Sequence, residues 1–593
     1  MDFISLGLSP EAWFVIFTVV TVFSLQIFTK LPSDFVFVGG MGMLLLSGVL
    51  PAKQIFAGFS SETVILTCTL FVVVCGLVHT GLLQWIVTNC LGTPKNYKWS
   101  IVRLMLPVAV LSSFLNNTTV VALFARVVKL WSKKLNIPLS KLLIPLSYAS
   151  GMGGICTLIG TAPNLLIAGF YTQQTGNALG IFSPTLAGLF CLAVGIISTV
   201  ALRNLIPVRK SPEEAFNGTS TYTVELMVPT MSSLVGKTIK EIGLDNVNGG
   251  HLIEIIRHDN EVVTVINEDE FIFGGDRLIF TGEIEKILEL REKYKFVNAT
   301  HHIYSIDEIR RSNKLRMGTV RFESELIGKT LQQTNFEEQH NIVLVAIARY
   351  GQVVHGSPRQ VELKAGDTLL FECGSKFNIS KELYEDIQEI ENENLYKPSI
   401  QTIFSSLILV AMVAVSSLGF LTLLQAAYVA AFAMIIFRFC SIKQARDSID
   451  WRLLMIFSGS VCLGTAIQET GISECISNGI MMMCDSNPYI ALIGIAFAAT
   501  FITEFTSNTA TAAIFYPIAF QTAVDLNVNP LTFCMALMIA VSSSFATPIG
   551  SPTHMIVYGL GGYRFGDFAK IGLLMNLIIL AANIFITLQL FPL

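Results

Sequence analysis

Charged residues are scarce in this sequence, and they are unevenly placed. Asp, Glu, Lys and Arg make up 14% of the 593 residues and 52% are hydrophobic, which is unlike a soluble globular protein. No Lys or Arg occurs between Arg452 and Arg564, whereas charges are frequent between Lys210 and Lys397. Two apolar blocks therefore flank a polar one. Each apolar block holds several runs of the ~20 residues that a membrane helix needs, which predicts a polytopic α-helical membrane protein.

Cysteine pairs are also lacking. The eleven cysteines include no Cys-x-x-Cys, and several lie in apolar segments where a thiol behaves as a small hydrophobe. Neither a disulfide framework nor a metal cluster is predicted. No nucleophile–base pair stands out, so we expect no enzyme, and we expect no nucleic-acid partner. The N-terminus lacks the basic region of a signal peptide, so we expect the first helix to be retained.

The apolar blocks predict two membrane repeats, residues 1–210 and 400–593. Each is predicted to contain five crossings and one re-entrant hairpin, at 98–133 and at 488–526. A polar run interrupts each hairpin segment, and such a run can lie at membrane depth only inside protein or beside water. The crossings are predicted at 11–29, 35–50, 62–90, 141–170 and 179–206, and at 401–417, 420–437, 452–478, 530–560 and 568–590.

The basic residues favour an inverted arrangement of the two repeats. If the polar block is cytoplasmic, the Lys and Arg that flank the crossings of the first half fall inside, with Lys53 as the exception. The first hairpin then enters from the cytoplasm and the second from outside. An odd number of crossings in each half predicts inverted halves with both termini outside.

Short segments recur between the two halves at offsets of 390 to 392. Phe114–Thr119 aligns with Phe505–Ala510, and Ile159–Asn164 aligns with Ile549–His554. Each half thus supplies a polar hairpin tip and a helix interrupted by Gly, Thr or Ser, and Pro. Unwound backbone frees carbonyls that can coordinate a dehydrated cation, while half-helix N-termini and hydroxyls suit an anion. Small residues in membrane helices are more often packing devices, but the duplication favours a binding site.

Ionisable residues in the predicted membrane segments are functional candidates, because burying charge in hydrocarbon is costly. Glu504 lies four residues before Asn508, within one helical turn of the second tip. Three interpretations stay open: a proton-coupling carboxylate, a neighbour of the substrate site, or a partner for a helix N-terminus. His554 occupies the position of Asn164 in the other half, which predicts a place behind the site.

At these residues the chain resembles the divalent anion/sodium symporter family. That family's signature is Ser-Asn-Thr at each hairpin tip, each followed by a Gly-Thr-Pro-Pro-Asn-like break. Ser507–Thr509 matches it fully. The first tip has Asn116 in place of Ser, and the breaks Gly160–Asn164 and Gly550–His554 depart from it as well. These departures leave the identity of the substrate open.

The resemblance implies two sodium sites, a substrate between the tips, a homodimer and elevator-type motion. The sodium sites that it implies involve Ser112, Asn116, Asn117 and Gly160 in the first half, and Thr503, Thr506, Asn508 and Gly550 in the second. The substrate contacts that it implies are Asn117, Thr118, Thr161, Pro163, Ser507, Asn508, Thr509 and Ser551.

The polar block contains a repeat of its own. Leu234–Ile239 aligns with Leu326–Leu331, and alternating strands are predicted at His251–Arg257 and Ile342–Ala348. Its Gly-Lys-Thr lacks the upstream Gly of a phosphate loop and instead predicts a turn into a short helix.

Both copies, at about 219–292 and 314–390, resemble the TrkA-C regulatory domain of potassium-channel and Trk-type proteins, also called the RCK C-terminal domain. A linker is predicted around residue 293–313. The resemblance implies inserted α+β cytosolic domains. Their role stays open between assembly alone and binding of a small ligand such as a cyclic dinucleotide.

The sequence thus favours a sodium-coupled symporter of a small divalent anion. Tandem domains inside such a permease resemble a branch associated with sulfate, which favours sulfate over a dicarboxylate. The alternatives are a proton-coupled anion transporter or antiporter, and a ligand-gated ion channel. A channel commonly needs a filter repeat, and an antiporter normally needs paired Asp or Lys at the midplane; neither pattern stands out.

Overall fold

The computed structural model describes most of both apolar blocks and the strands of the polar block. The described residues are 9–29, 31–81, 91–94, 96–209, 221–244, 250–257, 262–263, 269–298, 304–305, 315–321, 324–330, 333–334, 336–340, 342–350, 352–354, 361–373, 387–389 and 400–593.

The described part of the first apolar block is helical. Its helices are α1 (Pro10–Phe28), α2 (Ser33–Ser47), α3 (Ala52–Ile55), α4 (Glu62–His79), α5 (Tyr97–Ser112), α6 (Asn117–Leu135), α7 (Ser140–Gly154), α8 (Ala162–Thr175) and α9 (Thr185–Ala201). Short 3₁₀ turns at Ala57–Ser60 and Leu202–Asn204 precede α4 and follow α9.

The polar block contains two antiparallel sheets. The first is built from β1 (Thr221–Met227), β2 (Gly250–Ile256), β3 (Val262–Val263), β4 (Arg277–Glu283), β5 (Val297–Asn298) and β6 (Tyr304–Ser305), in the order β3-β2-β4-β1-β5 with β6 also on β1. The second is built from β7 (Leu315–Val320), β8 (Ile342–Arg349), β9 (Gln352–Val353), β10 (Thr368–Cys373) and β11 (Ile387–Glu389), in the order β11-β7-β10-β8-β9. The helices among them are α10 (Ile239–Ile242), α11 (Ile284–Tyr294) and α12 (Phe336–His340).

The second apolar block is also helical. They are α13 (Ile400–Ser417), α14 (Leu423–Ile436), α15 (Ile442–Asp447), α16 (Trp451–Glu469), α17 (Ile472–Met483), α18 (Pro488–Ile502), α19 (Asn508–Asp525), α20 (Pro530–Val541), α21 (Pro552–Gly561) and α22 (Phe565–Leu590).

Within the described segments, five helices are long and apolar enough to cross a membrane by themselves. They are α4, α9 with its 3₁₀ turn, α13, α16 and α22. A sixth span arises if α17 and α18, which meet at a bend of 118°, are counted as one. The other crossings predicted from the sequence are shorter helices, or helices broken in the middle.

The predicted crossing 452–478 is shorter than expected. Asp450 caps α16 by accepting a hydrogen bond from the Leu453 amide at 3.1 Å, and the helix ends at Glu469. Gly471 then adopts a left-handed φ of +72°, which ends a helix at little steric cost. Residues 472–483 form the separate helix α17. The matching segment 82–90 of the first half lies outside the described residues.

The strands predicted in the polar block are confirmed to within a residue, as β2 and β8. Thr238 and Glu241 form a capping box that starts α10, so the first Gly-Lys-Thr does turn into a short helix. The predicted linker is partly structured, because β5 and β6 both pair with β1 and extend the first sheet.

Two helices lie at the centre of the membrane region and hold the breaks. Nearly every residue of α7 and of α20 is buried, whichever side of the helix it is on. A helix that is apolar all round is enclosed by its neighbours rather than lying at a surface. The helices α7 and α20 therefore lie inside the protein. The polar residues of the breaks that follow them need hydrogen-bond partners from the protein or from bound solutes.

Candidate functional site

The first hairpin turns within four residues, Ser113 to Asn116, between α5 and α6. The Asn116 side chain accepts a hydrogen bond from the Thr118 amide at 2.9 Å and caps α6. Its oxygen therefore serves the helix N-terminus. Asn117, the first residue of α6, is only partly buried.

Asn117 is held by two serines. The Ser112 hydroxyl donates to Asn117 Oδ1 at 2.5 Å, and it also lies 2.7 Å from the Ser150 hydroxyl of α7. Ser150 donates in turn to the Asn117 carbonyl at 3.2 Å. The hairpin tip is thereby tied to the helix that leads into the first break.

The first break separates α7 from α8 by seven residues, and Thr157 organises it. The Thr157 hydroxyl donates to the Ser113 carbonyl and accepts from the Gly160 amide at 3.2 Å. Thr161 is extended, with φ −145° and ψ 140°, and Pro163 lies in the first turn of α8. Proline suits this position because the first amides of a helix have no intrahelical partner.

Gly160 is where the hairpin tip, α7 and the break converge. A Cβ on Gly160 would lie 2.8 Å from both the Gly154 Cα and the Ser112 carbonyl oxygen. A Cβ on Gly154 would lie 2.8 Å from the side-chain nitrogen Nδ2 of Asn117 and 2.9 Å from its Oδ1. Carbonyl and amide oxygens thus gather in a small space, and these are the ligands that hard cations prefer.

The sequence predicts uptake of a small divalent anion, and Gly160→Ala should lower this uptake by about tenfold or more. The added methyl group would press against the backbone, and such overpacking costs ~1–3 kcal/mol. Uptake into proteoliposomes measures the effect. Gly494→Ala is the matched control, since a Cβ on Gly494 of α18 would meet open space. Equal loss in both variants would contradict a specific role for Gly160.

The second hairpin tip has a similar construction. The Thr503 hydroxyl lies 2.8 Å from both Asn508 Oδ1 and the Val541 carbonyl oxygen, so these two acceptors share its single proton. Ser507 caps α19 by accepting from the Ala510 amide at 3.3 Å. Thr503 thus binds the tip asparagine and the end of α20, as Ser112 binds Asn117 and α7.

The second break separates α20 from α21 and is organised by Thr547. Its hydroxyl donates to the Glu504 carbonyl at 2.8 Å and accepts from the Gly550 amide at 2.9 Å. Ser551 is extended, with φ −146° and ψ 140°, and Pro552 begins α21. Thr547, Gly550 and Ser551 have Thr157, Gly160 and Thr161 as counterparts 390 residues earlier, whereas the proline is shifted by one residue, from Pro163 to Pro552.

Glu504 interacts with backbone. Its carboxylate accepts hydrogen bonds from the Ala546 amide at 2.9 Å, the Thr547 amide at 2.8 Å and the Asn576 side chain at 2.6 Å. All three partners are donors, and Glu504 is 4% exposed. Of the three interpretations left open by the sequence, this geometry is nearest to a partner for a helix N-terminus. The amides that it binds, however, belong to the break before α21 and not to the first turn of a helix.

His554 connects the two halves. Its Nδ1 lies 2.6 Å from the Ser147 hydroxyl of α7, and its Nε2 lies 2.6 Å from the Ser544 carbonyl. Its counterpart Asn164 is buried and donates to the Thr157 carbonyl at 3.0 Å. His554 therefore lies behind the break, as its sequence position predicts.

Each break packs against the opposite half. Phe170 of α8 stacks on Tyr516 of α19 with ring centroids 5.1 Å apart, and the Tyr516 hydroxyl donates to Gln174 at 2.7 Å. Conversely, Tyr148 of α7 donates to the Phe545 carbonyl of the second break at 3.0 Å. The two half-sites thus belong to one interlocked body.

The remaining site residues named from the sequence lie on the same tips and breaks. Thr118, Thr161, Ser507 and Ser551 are half-buried, and Thr509 and Pro163 are buried. Thr506 differs, because its hydroxyl pairs with Thr511 of α19 at 2.8 Å. Within the described residues, no group of three or more His, Cys, Asp or Glu could hold a metal ion.

Sequence reasoning missed several partners of the site. Thr157 and Thr547 each lie three residues before the glycine of a break, at an offset of 390, so the repeat itself held that signal. Ser150 and Asn576 had no such signal, because neither stands in a recognisable motif.

The chain is similar in sequence to known transporters. The chain matches the CitMHS family, described as citrate transporters, over residues 23–531 and 505–592. It is 29% identical to an uncharacterized transporter of Synechocystis sp., with 95% of each chain covered. It is 29% identical to sodium/sulfate cotransporter 1 of Chlamydomonas reinhardtii over 55% of this chain and 39% of that one. It is 30% identical to Na(+)/dicarboxylate cotransporter 3 of Rattus norvegicus over 23% and 22%.

Proposed function

Because the chain belongs to the CitMHS family of citrate transporters, we propose that it is a sodium-coupled secondary active symporter of a small divalent anion. Sulfate is favoured over a dicarboxylate. The stretch similar to a sodium/sulfate cotransporter covers 55% of this chain, against 23% for a sodium/dicarboxylate cotransporter. The family and these relatives are transporters, not enzymes.

The duplicated tip and break carries the proposal. Each copy brings an asparagine side chain, hydroxyls and the carbonyls of an unwound helix into one small space. Such oxygens suit a hard cation, and the two bound cations would neutralise a divalent anion without Lys or Arg. Half-helix N-termini beside them favour negative charge.

The proposed roles follow the two copies. Sodium is held around Ser112, Asn116, Asn117 and Gly160, and around Thr503, Thr506, Asn508 and Gly550. The anion contacts Asn117, Thr118, Thr161, Pro163, Ser507, Asn508, Thr509 and Ser551.

The proposed topology has membrane repeats 1–210 and 400–593 inverted relative to each other, with both termini outside. The soluble units are cytoplasmic, the protein is a homodimer, and the site moves by an elevator mechanism. The units 219–292 and 314–390 resemble TrkA-C domains. They regulate or assemble the transporter, and a small ligand such as a cyclic dinucleotide is one candidate for their control.

Two other functions predict different coupling. A proton-coupled anion transporter or antiporter would use Glu504 as its carrier, and a ligand-gated channel would conduct without a gradient of a second ion. The hydrogen bonds that Glu504 accepts from two backbone amides favour a structural role over proton transfer.

Sodium dependence tests the proposal. Radiolabelled sulfate uptake into proteoliposomes should require inward sodium and depend steeply on its concentration, because two cations would be bound for each anion. Excess unlabelled succinate or citrate should compete weakly. Equal uptake with choline in place of sodium, together with dependence on a pH gradient, would contradict sodium coupling and favour the proton-coupled alternative.

A further inference from the structure

The helix α21 leads from the second break to a contact with the strands of the polar block. It begins directly after Ser551 and ends at Gly561, so it is about 15 Å long. Its first turn carries His554, which is bonded to α7 and to the Ser544 carbonyl. Because the helix is short and continuous, a displacement of its C-terminal end at Gly561 would also displace the break at its N-terminal end.

The far end of α21 is covered by the second soluble unit, which we define as the sheet β7–β11. Thr319 of β7 packs on Gly559: a Cβ on Gly559 would lie 3.1 Å from Thr319 Cβ and 3.0 Å from its hydroxyl. Thr319 is 9% exposed. The strand approaches this closely because position 559 has no side chain.

A second contact lies one residue away. A Cβ on Gly366 would lie 2.7 Å from the Tyr558 ring, so the turn before β10 presses on that ring. Gly366 also has φ +82°, a backbone conformation that favours glycine. Tyr350, which follows β8, interacts with Tyr558 as well. Three segments of the soluble sheet therefore meet the end of one membrane helix.

The part of the sheet that contacts α21 is held by several hydrogen bonds; we call it the docking corner and define it as Arg349 with residues 364–367. Buried Asp367 accepts two hydrogen bonds from Arg349, both at 2.7 Å, and one from the Lys364 amide at 2.8 Å. The hydrogen bond to Asp367 also raises the pKa of the Arg349 guanidinium, which therefore stays charged. The Gly366 amide bonds the Val320 carbonyl at 2.9 Å, which closes the turn onto β7. The corner can therefore transmit a movement of the sheet to α21.

We propose that the second soluble unit is an internal clamp on α21, so that its docked state restrains the half-site at Ser551 and Gly550. This inference rests on the proposed transport function, because it names the regulation of that same site. A solute or partner that binds the sheet more tightly when it is undocked would release the helix. The same coupling free energy must then favour undocking when the half-site moves.

A reversible cross-link tests the clamp. In the double variant Thr319→Cys with Gly559→Cys, the Cβ atoms would be about 3.1 Å apart, close to the ~3.5–4.5 Å of disulfides. Mild oxidation of membranes should form this bridge, and mass tagging of free thiols measures its yield. Sodium-dependent sulfate uptake should fall by about tenfold or more on oxidation and return on reduction.

The single variants Thr319→Cys and Gly559→Cys control for the native cysteines and should not respond to the oxidant. Hydrogen exchange of the Pro552–Gly561 amides needs no substrate and should slow in the bridged protein. Absence of the bridge would overturn the docking contact. A bridge with unchanged uptake or unchanged exchange would overturn the restraint. Failure of the unmodified protein to take up sulfate would instead count against the transport proposal, while the yield and the exchange still decide the clamp.

Discussion

Asn117→Ala and Asn508→Ala should each lower sodium-dependent uptake by about 30-fold or more. Each asparagine begins the second helix of a hairpin and accepts a hydroxyl hydrogen bond from the end of the first, at 2.5 Å from Ser112 and 2.8 Å from Thr503. Removing one partner leaves the other hydrogen-bonding group unpaired, which costs ~1–3 kcal/mol, and each 1.4 kcal/mol is tenfold.

The variants can be separated from misfolding by a matched control and by the sodium dependence. Asn177→Ala, in an exposed turn after α8, removes the same side chain away from both tips and should leave uptake unchanged. Asn117→Asp keeps an acceptor for Ser112 but adds a negative charge beside the anion. It should therefore raise the KM for sulfate far more than the KM for sodium. Near-normal uptake by either alanine variant would show that the tips do not form the site.

The tips and breaks could be predicted from the sequence because their signals are local. A polar run such as Phe114–Thr119 inside an apolar segment cannot face lipid, and glycine with proline around Gly160 cannot continue a helix. The second copy then repeats the same constraint 390 residues later. The positions of the helices around these motifs follow within a few residues.

What the sequence did not predict depends on contacts between distant segments. Asn576 lies 72 residues from Glu504 in the sequence, yet its side-chain amide donates a hydrogen bond to the Glu504 carboxylate. Thr319 and Gly559 come together from a soluble strand and a membrane helix, and neither segment carries a motif for the other. The crossing predicted at 452–478 failed for a local reason instead. The polar residues Gln468–Thr470 come directly before Gly471, whose left-handed backbone ends the helix, and the prediction ran through both.

Glu504 has a different partner set from its counterpart in the first repeat. Ser113 takes that place there, and its hydroxyl donates to the Ala109 and Gly153 carbonyls at 2.9 and 3.0 Å. The Glu504 carboxylate instead accepts the amides of Ala546 and Thr547. In the first half Ser113 therefore binds backbone carbonyls, whereas in the second half Glu504 binds the backbone amides of the break. The two counterparts therefore differ in both their partners and the polarity of their hydrogen bonds.

Glu504→Gln should abolish both net uptake and substrate exchange, at acid and alkaline pH alike. The substitution replaces one carboxylate oxygen with an amide NH2 group. This group cannot accept a hydrogen bond from the N–H donors that face it. Each buried donor left unpaired costs ~1–3 kcal/mol, which in a chain of this length should lower the unfolding temperature by about 1–3 °C. Glu474→Gln, an exposed carboxylate on α17, is the matched control and should change neither quantity.

A proton carrier at Glu504 would give the opposite pattern. Its neutral glutamine variant would mimic the protonated state, keep substrate exchange and thermal stability, and lose only the response to a pH gradient. The other face of Glu504 borders a crevice of about 370 Å³ whose lining is almost wholly apolar, including Phe501, Leu573 and Leu577. An apolar lining does not support the water chain that a proton needs to reach a carboxylate. Exchange and unfolding temperature measured on the same Glu504→Gln preparation therefore decide between the two roles.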